Sequence, residues 1–204
     1  MLGRPHRVSG VFESVRAATP DARVLFIADP SDRETQDAIA MVDGEMISPG
    51  GTYAQKINAG ARVTTEPFVF LGADDLCFYP GWFQFAASAM SDAIMVVGTN
   101  DLGNRRVTTG QHSTHQLVAR SYIELGQIDG RPGLLHEGYH HNFCDDEFVG
   151  VAKYRGLYRH AHDAIVEHLH PLWGKGADDD IYRLGMEGWG HDGRLHRERT
   201  RLWT

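Results

Sequence analysis

Cysteine is scarce in this 204-residue chain: Cys77 and Cys144 are the only two, and no paired spacing surrounds them. That excludes a disulfide framework and a cysteine zinc site. A reduced, cytoplasmic setting is the simpler expectation. Long hydrophobic runs are absent, so nothing reads as a bilayer-spanning segment. Residues 1 to 7 hold Arg, Gly and Pro without an apolar core, so they do not read as a secretory signal. Positive charge is not in excess either. The formal net charge is -7, which argues against a general polyanion-binding surface while leaving room for a local basic groove. Neither a repeat nor a low-complexity stretch interrupts the chain.

What is present suits one soluble domain. Hydrophobic residues make up 42% and charged residues 23%, close to the globular average, and the length can bury a sizeable core. Histidine is abundant, with twelve in all and a concentration between His136 and His170. Most would be ordinary surface or loop histidines; the sharper reading is that one or two meet carboxylates at a metal.

Periodicity predicts alternating helices and strands through the first half. Val8 to Ala18 reads as an amphipathic helix. Arg23 to Ala28 is a short apolar run of the kind buried in a parallel sheet, ending at Asp29-Pro30-Ser31-Asp32. A capped helix follows over 34–42, then a short strand over 45–48, a Pro-Gly-Gly turn and a helix over 53–63. Pro67 to Leu71 is a second buried strand, a helix opens at Pro80, and 93–98 is a third strand. The second half is less regular: a polar, Gly-rich stretch over 100–110, a helix within 114–125, a loop over 129–142, a helix over 145–155 and a strand over 164–168. This pattern predicts an α/β, Rossmann-like architecture with a mostly parallel sheet and helices on both faces. Ligands in such sheets sit outside the carboxyl ends of the strands, where Asp29 and Asp74 fall.

Several clusters carry candidate chemistry. Asp74 and Asp75 follow a buried strand, and adjacent carboxylates in a cleft raise each other's pKa until a divalent cation relieves them. Oxygen ligands suit Mg²⁺ or Mn²⁺ bridging a diphosphate; the plain alternative is a solvated turn that caps a helix. Lys56 and Asn58 could reach a nucleotide, Lys56 as a point charge for phosphate, or simply be polar positions of a helix. Asp145, Asp146 and Glu147 open a helix, where they either offset its dipole or supply a general base. His168 and His170 lie at a strand end, two residues apart, and could complete a metal site or remain a surface pair.

In order and spacing these segments resemble the family 2 glycosyltransferases, whose fold is the A-type nucleotide-diphospho-sugar transferase fold. The likeness runs from about Gly3 to Trp173. Lys56-Ile57-Asn58-Ala59-Gly60 is similar to the helix before the acidic motif. Phe68 to Asp75 and Pro80-Gly81-Trp82 are similar to the strand, the Asp-x-Asp turn and the next helix. Asp145 to Gly156 resembles the acceptor-side helix that opens with the base, and Ala164 to His168 the last strand.

The resemblance implies an inverting, metal-dependent sugar transfer with Asp74 as metal ligand, joined by Asp75, His168 and His170. Asp29, Lys56, Asn58 and Asp74 would bind the nucleotide. Asp145 would be the base, with Asp146 and Glu147 beside it. His115, Tyr139 and His140 would lie on the acceptor side. The partners implied are a nucleotide-diphosphate sugar donor and a glycan, protein or modified DNA base as acceptor; the oligomeric state stays open. Two positions depart from the family pattern. Gly72 stands at the first aspartate of the motif, and the family's first strand is missing or truncated. A non-catalytic nucleotide- or carbohydrate-binding remnant and a metal-dependent hydrolase are therefore alternatives. The opening Gly-Arg-Pro-His and Trp173-Gly174-Lys175 also resemble small glycosyltransferase-like proteins of actinobacterial phages, which would place the chain in a host cytoplasm. The expected organisation is a domain over 1–176, divided near residue 100 into nucleotide-binding and acceptor-side halves, with a charged, partly helical tail over 177–204.

Overall fold

A computed structural model describes residues 3–204. Strands β1 (Leu25–Ile27) and β2 (Glu45–Ile47) form a small parallel pair, with helix α1 (Val8–Ala18) before them and α2 (Arg33–Met41) between them. Asp32 starts α2 by accepting from the Thr35 amide. Helix α3 (Tyr53–Val63) begins with a reciprocal cap: Thr52 accepts from the Gln55 amide, and the Gln55 side chain accepts from the Thr52 amide at 2.8 Å. Before β1 the described residues contain no strand; Pro5–Arg7 form a 3-10 turn that runs into α1.

The main sheet comprises β3 (Phe68–Phe70), β4 (Leu76–Phe78), β5 (Val96–Asn100), β6 (Gln116–Ala119) and β7 (Tyr158–His168), in the order β3-β6-β5-β7-β4. The α/β architecture matches the expectation, but the sheet is mixed rather than mostly parallel. β5 and β7 are parallel, whereas β3/β6, β5/β6 and β4/β7 are antiparallel. Both inserted strands were hard to see in sequence. β4 has three residues, and β6 runs straight into α6 (Arg120–Leu125) without a break, so the segment reads as one helix.

Alternation along the strands sends side chains to two covered faces. Val96 and Val118 pack with Ala54 and Ala61 of α3, Tyr122 of α6, and Phe148 and Ala152 of α7 (Cys144–Tyr154). Their neighbours Val97 and Leu117 pack on the other side with Val15 and Ala18 of α1, and with Trp82 and Ala86 of α4 (Trp82–Ser88). All five residues of β5 are buried, as expected for a central strand covered on both faces.

A short helix α5 (Arg105–Thr108) follows β5. After β7, the chain continues through α8 (Asp180–Glu187) and α9 (Trp189–Thr200), which return to the body of the molecule. Trp203 is buried there, with its indole against Gly150 of α7. Among the described residues no helix is long and apolar enough to cross a membrane.

Candidate functional site

The pairing pattern makes β3, β5 and β7 run in one direction, so their carboxyl ends lie at one edge of the sheet. Backbone bonds knit those ends together. The His168 amide donates to the Asp101 carbonyl at 3.1 Å, and the Leu169 amide to the Asp75 carbonyl at 2.8 Å. The acidic turn therefore sits at the sheet edge where ligands of α/β folds bind.

Both carboxylates of the turn are engaged by positive or donating groups. Arg4 donates to Asp74 Oδ1 at 2.9 Å. His168 Nε2 lies 3.1 Å from Asp75 Oδ2, which also accepts from the Tyr182 hydroxyl at 2.6 Å and has the Arg7 guanidinium 3.6 Å away. The two acids are driven apart. Burial and the neighbouring Asp75 charge raise Asp74 against the pull of Arg4. At Asp75 burial is outweighed by His168 and Tyr182, which hold it well below the usual carboxylate range.

Histidines line the same edge. His115 is buried; its Nδ1 donates to the Leu71 carbonyl at 2.9 Å, and its Nε2 has no hydrogen-bond partner. Its ring lies 5.2 Å from that of His168, which in turn lies 5.0 Å from that of His170. Burial and the His168 charge push both His115 and His170 down to about 4.

Asp145 belongs to this neighbourhood. Its charge and that of Asp75 both act on the Tyr53 phenol, on His115 and on His141. Burial would raise Asp145, but a hydrogen bond from His112 and the charge of that imidazole lower it overall. Asp146, one residue on, pairs instead with Arg106 at 2.6 Å. Asp29 lies two residues after β1 and meets Lys56 of α3 at 3.1 Å. Bonds from the Ser31 hydroxyl and amide, and then Lys56, lower Asp29 to about 2.

A comparison with protein-family models and one with curated proteins find no match. The fold does match solved structures. The mannosyltransferase PcManGT from Pyrobaculum calidifontis, in complex with GDP-Man and Mn²⁺, superposes with a TM-score of 0.64 at 14% identity, covering 86% of this chain and 56% of that one. Glucosyl-3-phosphoglycerate synthase from Mycobacterium tuberculosis, with Mn²⁺, UDP and phosphoglyceric acid, gives 0.64 at 12%, covering 99% and 75%. Mannosyl-3-phosphoglycerate synthase from Rubrobacter xylanophilus gives 0.61 at 14%, covering 98% and 73%. The chain has a nucleotide-sugar transferase fold. It spans little more than half of the archaeal mannosyltransferase and about three quarters of the two synthases.

Within this fold the expected site residues separate into two groups. Asp74, Asp75, His168 and His170 come together with His115, and Asp145 stands near them. Among the described residues, however, the first four do not bring three ligand atoms within 4.8 Å. Two other clusters do so: His112 with Asp145 and Asp146, and His140 with His191 and Asp192.

Of the remaining expected residues, Asn58, Glu147 and Tyr139 make buried contacts within the fold, whereas His140 lies at the surface. Asn58 is buried and fastens α3 to the 134–137 loop, accepting from the Leu134 and Leu135 amides and donating to the Leu135 carbonyl. Glu147 takes the Arg199 guanidinium in a two-pronged pair and accepts from the Tyr139 hydroxyl at 2.7 Å, and Tyr139 is fully buried. His140 is exposed and stacks on His191 at 4.3 Å.

Arg4, Arg7, Tyr53, His112 and Tyr182 were not visible as site residues in the sequence. Only His112 carried a signal, lying three residues before the expected acceptor-side His115. Tyr182 and Asp179, which pairs with Arg4 at 2.8 Å, come from the C-terminal segment; Tyr182 also lies under the Arg4 guanidinium, 4.0 Å from ring centre to carbon.

Proposed function

We propose that this chain transfers a sugar from a nucleotide-diphosphate donor to an acceptor hydroxyl, with inversion. The observation that carries the reading is the juxtaposition of the Asp74-Asp75 turn with a second, separately held carboxylate, Asp145, at the ligand-binding edge of a nucleotide-sugar transferase fold. A sugar transfer needs these two functions apart, one at the diphosphate and one at the acceptor.

The donor set at the acidic turn suits a divalent cation in its chemistry, although the side chains do not converge as they stand and Arg4 pairs with Asp74. Asp74 and Asp75 each use only one oxygen in the bonds described above, and the buried Nε2 of His115 has no partner. Asp74 and Asp75 would hold Mn²⁺ or Mg²⁺, with His168 and His170 alongside, and the ion would neutralise the diphosphate as it leaves. Mn²⁺ is favoured because solved structures of this fold hold it with UDP or GDP-Man.

Asp29 and Lys56 would meet the nucleotide. Asp145 takes the proton of the acceptor hydroxyl as that oxygen bonds to the anomeric carbon. The bond from that carbon to the diphosphate oxygen breaks, and its electron pair leaves with the diphosphate. The acceptor, a glycan, a protein or a modified DNA base, approaches past the 109–115 loop and the exposed His140. The Arg4–Asp74 bond favours a second reading, a binding protein of the same fold in which an arginine stands where a transferase keeps its cation.

Thermal unfolding against nucleotide diphosphates and their sugars, with and without Mn²⁺, tests the proposal. Saturation at a hundred times the dissociation constant adds about 2.7 kcal/mol of stability. The transferase should show a shift that requires both Mn²⁺ and one nucleotide sugar, together with turnover. Asp145→Asn should keep the shift and lose turnover. A shift without turnover in the unaltered chain would favour the binding protein, and no shift with any donor would overturn both.

A further inference from the structure

We propose that His112 is a positioning residue for the base: its imidazole spans Asp145 and Asp146, holding one oxygen of Asp145 so that the other is presented to the acceptor hydroxyl. The inference rests on the reading of Asp145 as base given above.

The geometry is specific. His112 Nε2 lies 3.1 Å from Asp145 Oδ2, and His112 Nδ1 lies 3.9 Å from Asp146 Oδ1. Successive helical residues point about 100° apart, so carboxylates at 145 and 146 diverge, and an imidazole that meets both must lie across the start of α7. Helix α7 receives no side-chain cap from Phe143, and Asp145 and Asp146 stand in its first turn. Asp146 is anchored from outside by Arg106 at 2.6 Å.

The imidazole is held as firmly as the acids. His112 is only 2% exposed. Its amide and that of Gln111 both donate to the Arg106 carbonyl, at 3.0 and 2.8 Å, which closes the loop after α5. Gly110 turns that loop at a φ of +73°. Arg106 thus fixes the loop through its backbone and Asp146 through its side chain.

A carboxylate base with no partner rotates about its last bond. A donor on one oxygen sets its plane, which places the second oxygen, and base catalysis depends first on that placement. The other titratable groups around Asp145 are Tyr53, His115, His141, Cys144 and Asp146. None of the hydrogen bonds described above joins those side chains to Asp145; the Asp146 amide also donates to its carboxylate, and His112 is the side chain placed to orient it.

The test combines kinetics with nitrogen NMR of His112 in the full chain. His112→Ala should lower kcat at least tenfold while the donor KM stays within about twofold. It should also move the acid limb of the kcat profile to higher pH, because the side chain that most strongly opposes burial at Asp145 is then gone. His112→Gln, whose amide can still donate to Asp145, should recover much of kcat. Wild-type kcat in His112→Ala, or a Gln variant no better than Ala, would overturn the proposal.

The NMR arm needs no turnover. The Nε2 nitrogen should be the protonated one, and its resonance should move in Asp145→Asn. An Nε2 without a proton, or one indifferent to Asp145, would overturn the proposal. So would selective loss of the His112 signal on adding Mn²⁺ alone, because the three groups would then be metal ligands. Absence of transfer by the unaltered chain would instead sink the transferase reading, and the NMR result alone would then decide whether His112 orients Asp145.

Discussion

His115 shows what a single buried side chain contributes. Its imidazole is kept neutral by burial and by the nearby His168 charge, with a value of about 4 against an ordinary 6.5. The unfolded chain therefore takes up that proton first as pH falls. Stability from this group is complete above about 6.5 and is lost between 6.5 and 4, at about 1.4 kcal/mol per pH unit. Asp75, held low, adds loss in the same direction at lower pH, whereas Asp74, held high, works against it. In metal-free protein, urea unfolding followed across this window should show stability falling with pH. His115→Gln, which can still donate to the Leu71 carbonyl, should show a shallower fall. Equal slopes in the two proteins would mean that His115 is not held neutral.

Helix α3 joins the local and the distant at the scale of an element. It presents Lys56 to Asp29 and Asn58 to the 134–137 loop, and its start depends on the Thr52–Gln55 exchange. Thr52→Ala removes an N-cap acceptor, which costs about 1 kcal/mol. The expected result is a lower urea midpoint with an unchanged m-value, since the folded surface is the same. A Thr52→Ser variant should restore most of the loss, because its hydroxyl can make the same bond. A fall of several kcal/mol would instead show that the first turn of α3 supports its neighbours through more than its cap.

Long-range hydrogen bonds and an ion pair hold the C-terminal helices to the centre at the scale of the whole molecule. Asp192 of α9 accepts from the amides of His140, His141 and Asn142 at 2.8 to 2.9 Å, and Arg199 grips Glu147 of α7 from 52 residues away. Residues 177–204 thus support the loop that leads into Asp145. Removing one partner from a buried pair costs about 3–5 kcal/mol, because the other charge stays buried and unpaired. Arg199→Ala should fall in that range by urea unfolding, and Arg199→Ala combined with Glu147→Gln should be less than additive. Additive losses would mean that the two side chains act independently.

Most local elements were legible in the sequence because their signals are local. The boundaries of α1 and α3 followed from periodicity, from Pro20 and from the Pro49-Gly50-Gly51 turn, and the apolar runs at β1, β3 and β5 announced buried strands. The α/β class and the acidic turn at a strand's carboxyl end followed as well. Strand direction did not, because β4 and β6 are too short or too close to a helix to signal their antiparallel pairing. Only the tertiary structure decided which partner each charged group meets. Arg4 reaches Asp74 across 70 positions, Tyr182 reaches Asp75 across 107, and His112 reaches Asp145 across 33. No pattern in sequence encodes such pairs, since they arise where the sheet edge, the 109–115 loop and the returning C-terminal helices come together and bury charges that must then find each other.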